Sequence, residues 1–380
     1  MTITDSNALR AVEYLVRGAI FVCCLKYLSQ YQNKLVLVIY VAFFVFYLFL
    51  GIINGNKLPF LMADLMSFSV LIFAFFLANE NRDQFTLQLV RLISLLLIVG
   101  SSFSVYFFIT NGLQPAESID GRITVDNVSD SGYLKYALSI IQVSVLLLPF
   151  FWNLDVKRRY IVASATMLFF IVSAFTLARA GIAVVLVSGL ITMYIGFKQN
   201  FIRFTFVTVS VTATGIIGLL TVFYVYGDII NTLYSLASLR FEELGGEGIE
   251  PRDLEAEVYF ANASLYELIV GKGFGGVNSF PFGNFSERGL MMLHRGENNL
   301  ILKGGIPFSV LLYGSALVAL IKLLRSKAVY SKQWAAVIFL FLFLERGHQQ
   351  YSQFFMLLFF CLAISYGLNI KRSLARHRKE

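Results

Sequence analysis

The stretch FTLARAGIAVVLVSGLI, from Phe175 to Ile191, decides the class of this protein, because it is an apolar run with one cation in its middle. Nearly every residue from Tyr160 to Phe197 is apolar, and Arg179 carries the only formal charge among them. A bilayer span needs about 20 predominantly apolar residues. The stretch therefore predicts two spans, and it raises the question of what Arg179 does between them.

The composition of the whole chain is that of a membrane protein. Of its 380 residues, 57% are hydrophobic and 14% are charged, and the mean hydropathy is +0.72. A soluble domain carries about 25% charged residues, so we do not expect a water-soluble fold. Glu13 and Arg17 interrupt the first apolar run and no basic region precedes it, so we expect no cleavable signal peptide. The cysteines lie in apolar segments and predict neither a disulfide framework nor a zinc site.

Further apolar runs predict an all-α, polytopic membrane bundle of about 10–12 spans. The clear candidates are 35–54, 58–78, 85–108, 133–152, 160–179, 181–197, 204–226, 299–321, 333–344 and 351–368. The segment 11–28 is weaker and is either a first span or an amphipathic surface helix. We divide the chain into an N-terminal bundle (1–226), a large extracytoplasmic loop with short helices (227–298) and C-terminal spans with a basic tail (299–380).

Lysines and arginines near the span ends predict the orientation. The C-terminal tail, the loop 322–332 and the segments DVKRR (155–159) and KQNFIR (198–203) are basic and should face the cytoplasm. The loop 227–298 is acidic and falls on the opposite side. The net charge of +8 then belongs to the cytoplasmic edge, where it attracts anionic lipid. We therefore expect the bilayer, and no nucleic acid, as a partner.

Arg179 is the first candidate for chemistry. The orientation places Arg179-Ala180-Gly181 in a turn between two spans on the outer side. An arginine there is either a snorkelling side chain at a helix end or a ligand for an anion, since its planar guanidinium donates in pairs to phosphate.

The second candidate is GKGFGG, residues 271–276. It matches the dinucleotide pattern GxGxxG, but that motif needs a preceding strand in a βαβ unit, so we reject the match. Two readings stay open. One is a glycine-rich tight turn, and the other is a nest of backbone N–H groups that binds an anion.

The third candidate is the run that holds His294, Arg295 and Glu297 just before a span. Histidine is the side chain most easily tuned for proton transfer near neutral pH, although a lone loop histidine is more often a surface residue. Glu297 could equally stabilise the start of the following helix. Asn298 and Asn299 mark the outer end of that span.

Metal binding is not indicated. The acids of DLEAE (253–257) could attract a divalent cation, but on a helix only Asp253 and Glu257 share a face. A solvated helix start is the better reading. The sequence contains neither DxD nor HExxH, so neither a nucleotide-sugar metal site nor a zincin is predicted.

Three landmarks follow one another along the chain: the turn at Arg179, then Arg252 opening a long outer loop that runs into GKGFGG, and the His/Asn-containing run that leads to Gly304-Gly305-Ile306. In this order they resemble the bacterial O-antigen polymerase and ligase superfamily. The resemblance covers roughly 160–315. It implies a membrane glycosyltransferase in the bacterial inner membrane, with the 227–298 loop periplasmic and the C-terminus cytoplasmic, working without metal, cofactor or nucleotide sugar.

The resemblance also implies roles for residues. Arg179 and Arg252 would hold a lipid diphosphate, and His294 would be the base. Because Arg295 rather than asparagine follows His294, Glu297 is an alternative base. The implied catalytic residues are His294, Glu297, Arg179 and Arg252, and the implied substrate-binding residues are Arg179, Arg252, Arg295, Lys272, Gly273 and Asn298.

The expected function is that of an inverting, metal-independent polysaccharide polymerase. It would transfer a polyprenyl-diphosphate-linked glycan chain to the non-reducing-end hydroxyl of a lipid-linked repeat unit, with a chain-length regulator and a flippase as partners. The alternatives are an O-antigen ligase that uses lipid A-core, a lipid-linked glycan transporter, and a non-catalytic scaffold. A transporter should show charges through the midplane of the membrane, where only Asp64 and Arg91 are candidates and neither has an obvious mate.

Overall fold

The computed structural model describes residues 34–77, 82–111, 140–175, 179–199, 251–278, 296–345 and 354–376. This described part is nearly all helical and contains no β-strand, which confirms the all-α prediction there. The helices are α1 (Lys34–Ile53), α2 (Leu58–Leu77), α3 (Arg82–Asn111), α4 (Ser144–Leu147), a 3-10 helix (Leu148–Asn153), α5 (Val156–Phe175), α6 (Arg179–Gln199), α7 (Pro251–Asn262), α8 (Leu265–Val270), α9 (Gly296–Arg325), α10 (Ser331–Glu345) and α11 (Phe354–Arg376).

The lengths and compositions of these helices fit a polytopic membrane bundle. Four described stretches are long and apolar enough to cross a membrane, namely Val36–Ile53, Thr86–Tyr106, Gly181–Lys198 and Gly296–Arg325. Shorter apolar helical stretches are Leu58–Val70, Ile140–Asn153, Ser331–Phe343 and Met356–Asn369. The predicted spans 35–54 and 58–78 agree with α1 and α2 to within a residue at each end. The predicted segments 11–28 and 204–226 lie outside the described residues.

Within the predicted loop 227–298, the described residues form α7, α8 and a turn. Helix α7 begins at Pro251, the position predicted for its first turn, where the missing N–H of proline costs nothing. Helix α9 begins at Gly296, three residues before the predicted span start. The rest of the loop lies outside the described residues.

The predicted turn at Arg179-Ala180-Gly181 is wrong. Helix α5 ends at Phe175 and α6 begins at Arg179, so these three residues form the first turn of α6. Arginine and alanine are strong helix formers, which favours this outcome. Gly181 keeps α5 and α6 close, because a Cβ there would lie 2.4 Å from Ser173 Oγ.

The chain divides into two compact units. Unit 1 comprises 1–93 and 251–380, and unit 2 comprises 94–250. In unit 1, α11 packs against α2, α9 and α10, and the Phe341 and Phe360 rings stack with centroids 4.0 Å apart. Near the last turn of α9, Lys322 Nζ donates to the Leu368 carbonyl at 3.2 Å.

Several polar side chains in unit 2 donate hydrogen bonds to backbone carbonyls. Trp152 Nε1 donates to the Thr192 carbonyl at 2.7 Å, and Ser188 Oγ donates to the Val145 carbonyl at 2.7 Å. The buried Arg159 guanidinium donates to the carbonyls of Phe151 and Trp152 at the end of the 3-10 helix. The Trp152 carbonyl lies at the end of the 3-10 helix, where backbone carbonyls lack partners within the helix, and Arg159 supplies one.

Candidate functional site

The segment Gly271–Asn278, called the docked segment below, is non-helical backbone that lies against three helices of unit 1. Its φ angles are positive at Gly271 (81°), Gly273 (74°) and Gly275 (76°), a region that is open to glycine and strained for other residues. There is also no room for side chains, since a Cβ on Gly273 would lie 2.3 Å from Gly51 N. GKGFGG is therefore a tight turn, one of the two predicted readings.

Helix α9 is broken where the docked segment meets it. Gly305 has φ 62° and ψ −170°, outside the helical region. The proline two positions later has no N–H to give to the Lys303 carbonyl, its partner in an unbroken helix. The docked segment supplies donors instead. Lys272 N–H bonds the Leu302 carbonyl at 2.8 Å, and Gly273 N–H bonds the Lys303 carbonyl at 2.9 Å. Irregular backbone inside a membrane protein needs such internal partners.

Phe274 anchors the docked segment in an aromatic socket. Its ring is fully buried and stacks on Phe68, with centroids 5.3 Å apart and planes 2° from parallel. Phe44 meets it edge-on, also at 5.3 Å. The Phe274 N–H donates to the Tyr47 carbonyl at 3.0 Å. Tyr47 lies about 9 Å along the helix axis from the end of α1. The docked segment therefore contacts α1 in its interior and not only at its last turn.

Two asparagines in the turn between α1 and α2 donate hydrogen bonds to the first residues of the docked segment. Asn56 Nδ2 donates to the carbonyls of Lys272 at 2.9 Å and Phe274 at 2.8 Å. Asn54 Nδ2 donates to the Lys272 carbonyl at 3.1 Å. Together with the bonds to α9, these contacts show that the α1–α2 turn, the docked segment and the first half of α9 meet at one end of unit 1.

A buried ion pair fastens the docked segment on its other side. Asp64 Oδ2 on α2 lies 2.7 Å from Lys303 Nζ on α9, and the two side chains are 2% and 0% exposed. The same oxygen accepts from Gly275 N–H at 2.7 Å. Lys303 Nζ also donates to the Gly276 carbonyl at 2.5 Å. A charge at membrane depth is expensive and normally has a partner, and here each charge neutralises the other.

No N–H of the turn 271–276 is left to bind an anion. Gly271 N–H donates to the Glu267 carbonyl and Gly276 N–H to the Gly273 carbonyl, and the four between them donate as described above. The reading as an anion-binding nest is therefore not supported. The substrate-binding role predicted for Gly273 rests on the resemblance alone.

Lys272 is partly engaged within unit 1. Its ammonium lies 3.4 Å from Glu267 Oε1 and 3.4 Å from the Val277 carbonyl. Its side chain is 15% exposed. An anionic substrate would have to compete with the Glu267 carboxylate for this cation.

Helices α7 and α8 connect the predicted Arg252 to the docked segment. Ser264 and Glu267 form a capping box that starts α8, in which each side chain bonds the other's backbone N–H. Tyr259 of α7 and Leu268 of α8 pack against Leu302 of α9. Burial, followed by the charge of Glu267, raises the pKa of Tyr259 above its usual value, so the phenol stays protonated at neutral pH. Arg252 lies in the first turn of α7.

Three polar residues, Glu297, Asn298 and Asn299, occupy the first turn of α9. Glu297 is partly exposed at the positive end of the helix, which suits a carboxylate. Asn298 and Asn299 are buried. Within the described part of the chain, Asn299 Oδ1 has no hydrogen-bond partner. Such a buried acceptor is costly, and it could accept from a hydroxyl or amine of a ligand.

The predicted site residues are thus only partly brought together. Unit 1 contains α7, whose first turn holds Arg252, and also Lys272, Gly273, Glu297 and Asn298. Arg179 belongs to unit 2. His294 and Arg295 lie outside the described residues.

Sequence reasoning missed the Asp64–Lys303 pair. No partner for Asp64 was obvious from the sequence, and the structure supplies Lys303. This correction removes one argument against a transporter. The signal was present in the sequence as two lone opposite charges inside apolar runs, at 58–78 and 299–321. An intramembrane charge is a functional candidate by default, and its partner should be sought on another span.

Comparison with known proteins adds no relative to this picture, because no protein-family model and no curated protein matches the sequence.

Proposed function

We propose that this protein is a membrane glycosyltransferase that polymerises polyprenyl-diphosphate-linked repeat units into a polysaccharide of the O-antigen, capsule or exopolysaccharide type. The observation that carries the proposal is the first turn of α9. There the partly exposed Glu297 is followed in sequence by two buried asparagines, and Asn299 Oδ1 is an acceptor without a partner among the described residues. A sugar hydroxyl that is about to attack needs an acceptor to orient it and a base to take its proton.

The proposed reaction displaces the diphosphate directly. A hydroxyl of the acceptor repeat unit attacks the anomeric carbon of the donor glycan, the bond to the diphosphate oxygen breaks, and the configuration inverts. Glu297 or His294 takes the hydroxyl proton. Arg252 stabilises the negative charge that develops on the leaving diphosphate, which fixed cations in a water-poor site do best. The resemblance assigns the same role to Arg179.

Purified protein supplied with synthetic polyprenyl-diphosphate-linked repeat units, and no nucleotide sugar, should produce a ladder of longer lipid-linked glycans. We expect Arg252→Ala and Arg179→Ala each to slow ladder formation about 10²-fold or more, the usual cost of removing a group that stabilises transition-state charge. Lys157→Ala is the matched control, because this basic residue is exposed on α5 in the segment predicted to face the cytoplasm. A full ladder from both arginine variants at wild-type abundance would refute their proposed roles.

The ligase alternative is separated by its acceptor. A ligase would extend no repeat unit and would instead glycosylate lipid A-core when that acceptor is added. A product formed only with lipid A-core would replace the polymerase proposal with the ligase.

A transporter of lipid-linked glycans is a second candidate, favoured by the Asp64–Lys303 pair beside the break in α9. Broken helices and paired charges at membrane depth are typical of transporters. In proteoliposomes, a transporter would move labelled lipid-linked repeat units across the bilayer without forming any new glycosidic bond. The polymerase would form bonds on one side of the membrane only.

A further inference from the structure

The Asp64–Lys303 pair does more than join two helices. Asp64 Oδ2 accepts from both Lys303 Nζ and Gly275 N–H. Lys303 Nζ donates to both Asp64 Oδ2 and the Gly276 carbonyl. Each charge therefore serves one backbone group of the docked segment as well as its partner charge.

The direction of these bonds is fixed. The group at position 64 must be an acceptor because it faces an N–H, and the group at position 303 must be a donor because it faces a carbonyl. A buried ion pair that only tied α2 to α9 could be replaced by apolar side chains at little cost. It could also be reversed, since either orientation would attract. A pair that also seats the docked segment can be neither neutralised nor reversed.

We propose that Asp64 and Lys303 are positioning residues that latch the docked segment into unit 1. The segment continues directly from α8, and α7 and α8 pack on Leu302. The latch therefore sets the position of α7, whose first turn contains Arg252, relative to the first turn of α9, which carries Glu297. The latch itself stands on the geometry, and its effect on catalysis rests on the proposed function.

Hydrogen–deuterium exchange of a peptide covering 268–278 tests the latch directly. The comparison includes the wild type, the neutral pair Asp64→Asn/Lys303→Met, the reversed pair Asp64→Lys/Lys303→Asp, and Ser365→Ala as control. Ser365 is fully buried in α11 and its Oγ has no partner within the described part of the chain, so removing it disturbs no bond. We expect the 271–276 amides to exchange about ten- to a hundredfold faster in both pair variants, the range that hydrogen bonds to charged groups are worth.

Hydrogen–deuterium exchange of a peptide from α11 should be the same in every variant, which would show that the helical bundle is intact. If the reversed pair protects the docked segment as well as the wild type does, the pair only ties α2 to α9 and the latch is refuted. If the double variants do not accumulate, Asp64→Asn alone decides the question. A neutral amide oxygen is a weaker acceptor than a carboxylate, so exchange must still rise, and unchanged exchange would refute the latch.

The ladder assay, run on the same proteins, tests whether the latch affects catalysis. We expect kcat to fall about tenfold or more in the reversed pair, with a smaller change in KM, because misplaced groups slow the chemical step more than they weaken binding. Fast exchange with an unchanged kcat would refute the positioning role and leave the latch. A wild type that forms no ladder would refute the proposed function, and the exchange result would still judge the latch.

Discussion

Gly305 shows at the scale of one residue why the break in α9 needs glycine. Its φ of 62° and ψ of −170° belong to a region that is essentially restricted to glycine and costs other residues about 1–3 kcal/mol. A Cβ at this position would also lie 2.2 Å from the Ile269 carbonyl oxygen. We therefore predict that Gly305→Ala lowers the midpoint of thermal unfolding in detergent or reduces the amount of folded protein.

Gly314→Ala is the matched control on the same helix, since a Cβ there meets nothing within 4 Å. It should be neutral or slightly stabilising, because alanine is favoured over glycine in a helix by about 0.5–1 kcal/mol. Equal melting temperatures for the two variants would contradict the account of the break.

At this scale the sequence predicts local conformation better than long-range contacts. GKGFGG is recognisable as a turn because closely spaced glycines favour positive φ angles. The pairing of its N–H groups with the Leu302 and Lys303 carbonyls joins positions about 30 residues apart, and no local pattern gives that. The Asp64–Lys303 pair joins still more distant positions and was missed for the same reason.

At the scale of the elements, the close contact between α6 and the 3-10 helix depends on a glycine. A Cβ on Gly196 would lie 2.2 Å from Trp152 Cε2, and the rigid indole would have to move and give up its bond to the Thr192 carbonyl. We predict that Gly196→Ala destabilises unit 2 by about 1–3 kcal/mol, the usual cost of overpacking.

Gly189 on the same helix is the control, because a Cβ there meets nothing within 4 Å. Tryptophan fluorescence during thermal unfolding should separate the two alanine variants. A Gly196→Ala protein that melts with the Gly189→Ala protein would show that the close contact is not formed.

The helices were largely predictable because a bilayer fixes the length of an apolar run. Their ends were less so. Arg179-Ala180-Gly181 was expected to be a turn, since a charge between two apolar runs resembles a boundary, yet these residues start α6. The break inside α9 was also missed, although Gly304-Gly305-Ile306-Pro307 carries its signal. A continuous apolar run does not indicate a break in the helix when the freed carbonyls accept hydrogen bonds from a distant part of the chain.

At the scale of the molecule, the charges of α9 other than Lys303, which is paired with Asp64, separate toward its two ends. Glu297 lies in its first turn, and Lys322 and Arg325 lie in its last. The first end meets the docked segment, and the last end meets α11 through the bond of Lys322 to the Leu368 carbonyl. Hydropathy and the positions of the basic residues predicted this polarity. Which side of the membrane each end faces stays a prediction, as does the function.

The proposed reaction is a displacement, so the most direct test measures the amount of leaving group released. Purified protein would receive radiolabelled polyprenyl-diphosphate-linked repeat units in the presence of a chelator and without nucleotide sugar. We predict one free polyprenyl diphosphate released for each glycosidic bond formed. Movement of intact lipid-linked units without release, or release that appears only with lipid A-core, would contradict the polymerase and identify the transporter or the ligase instead.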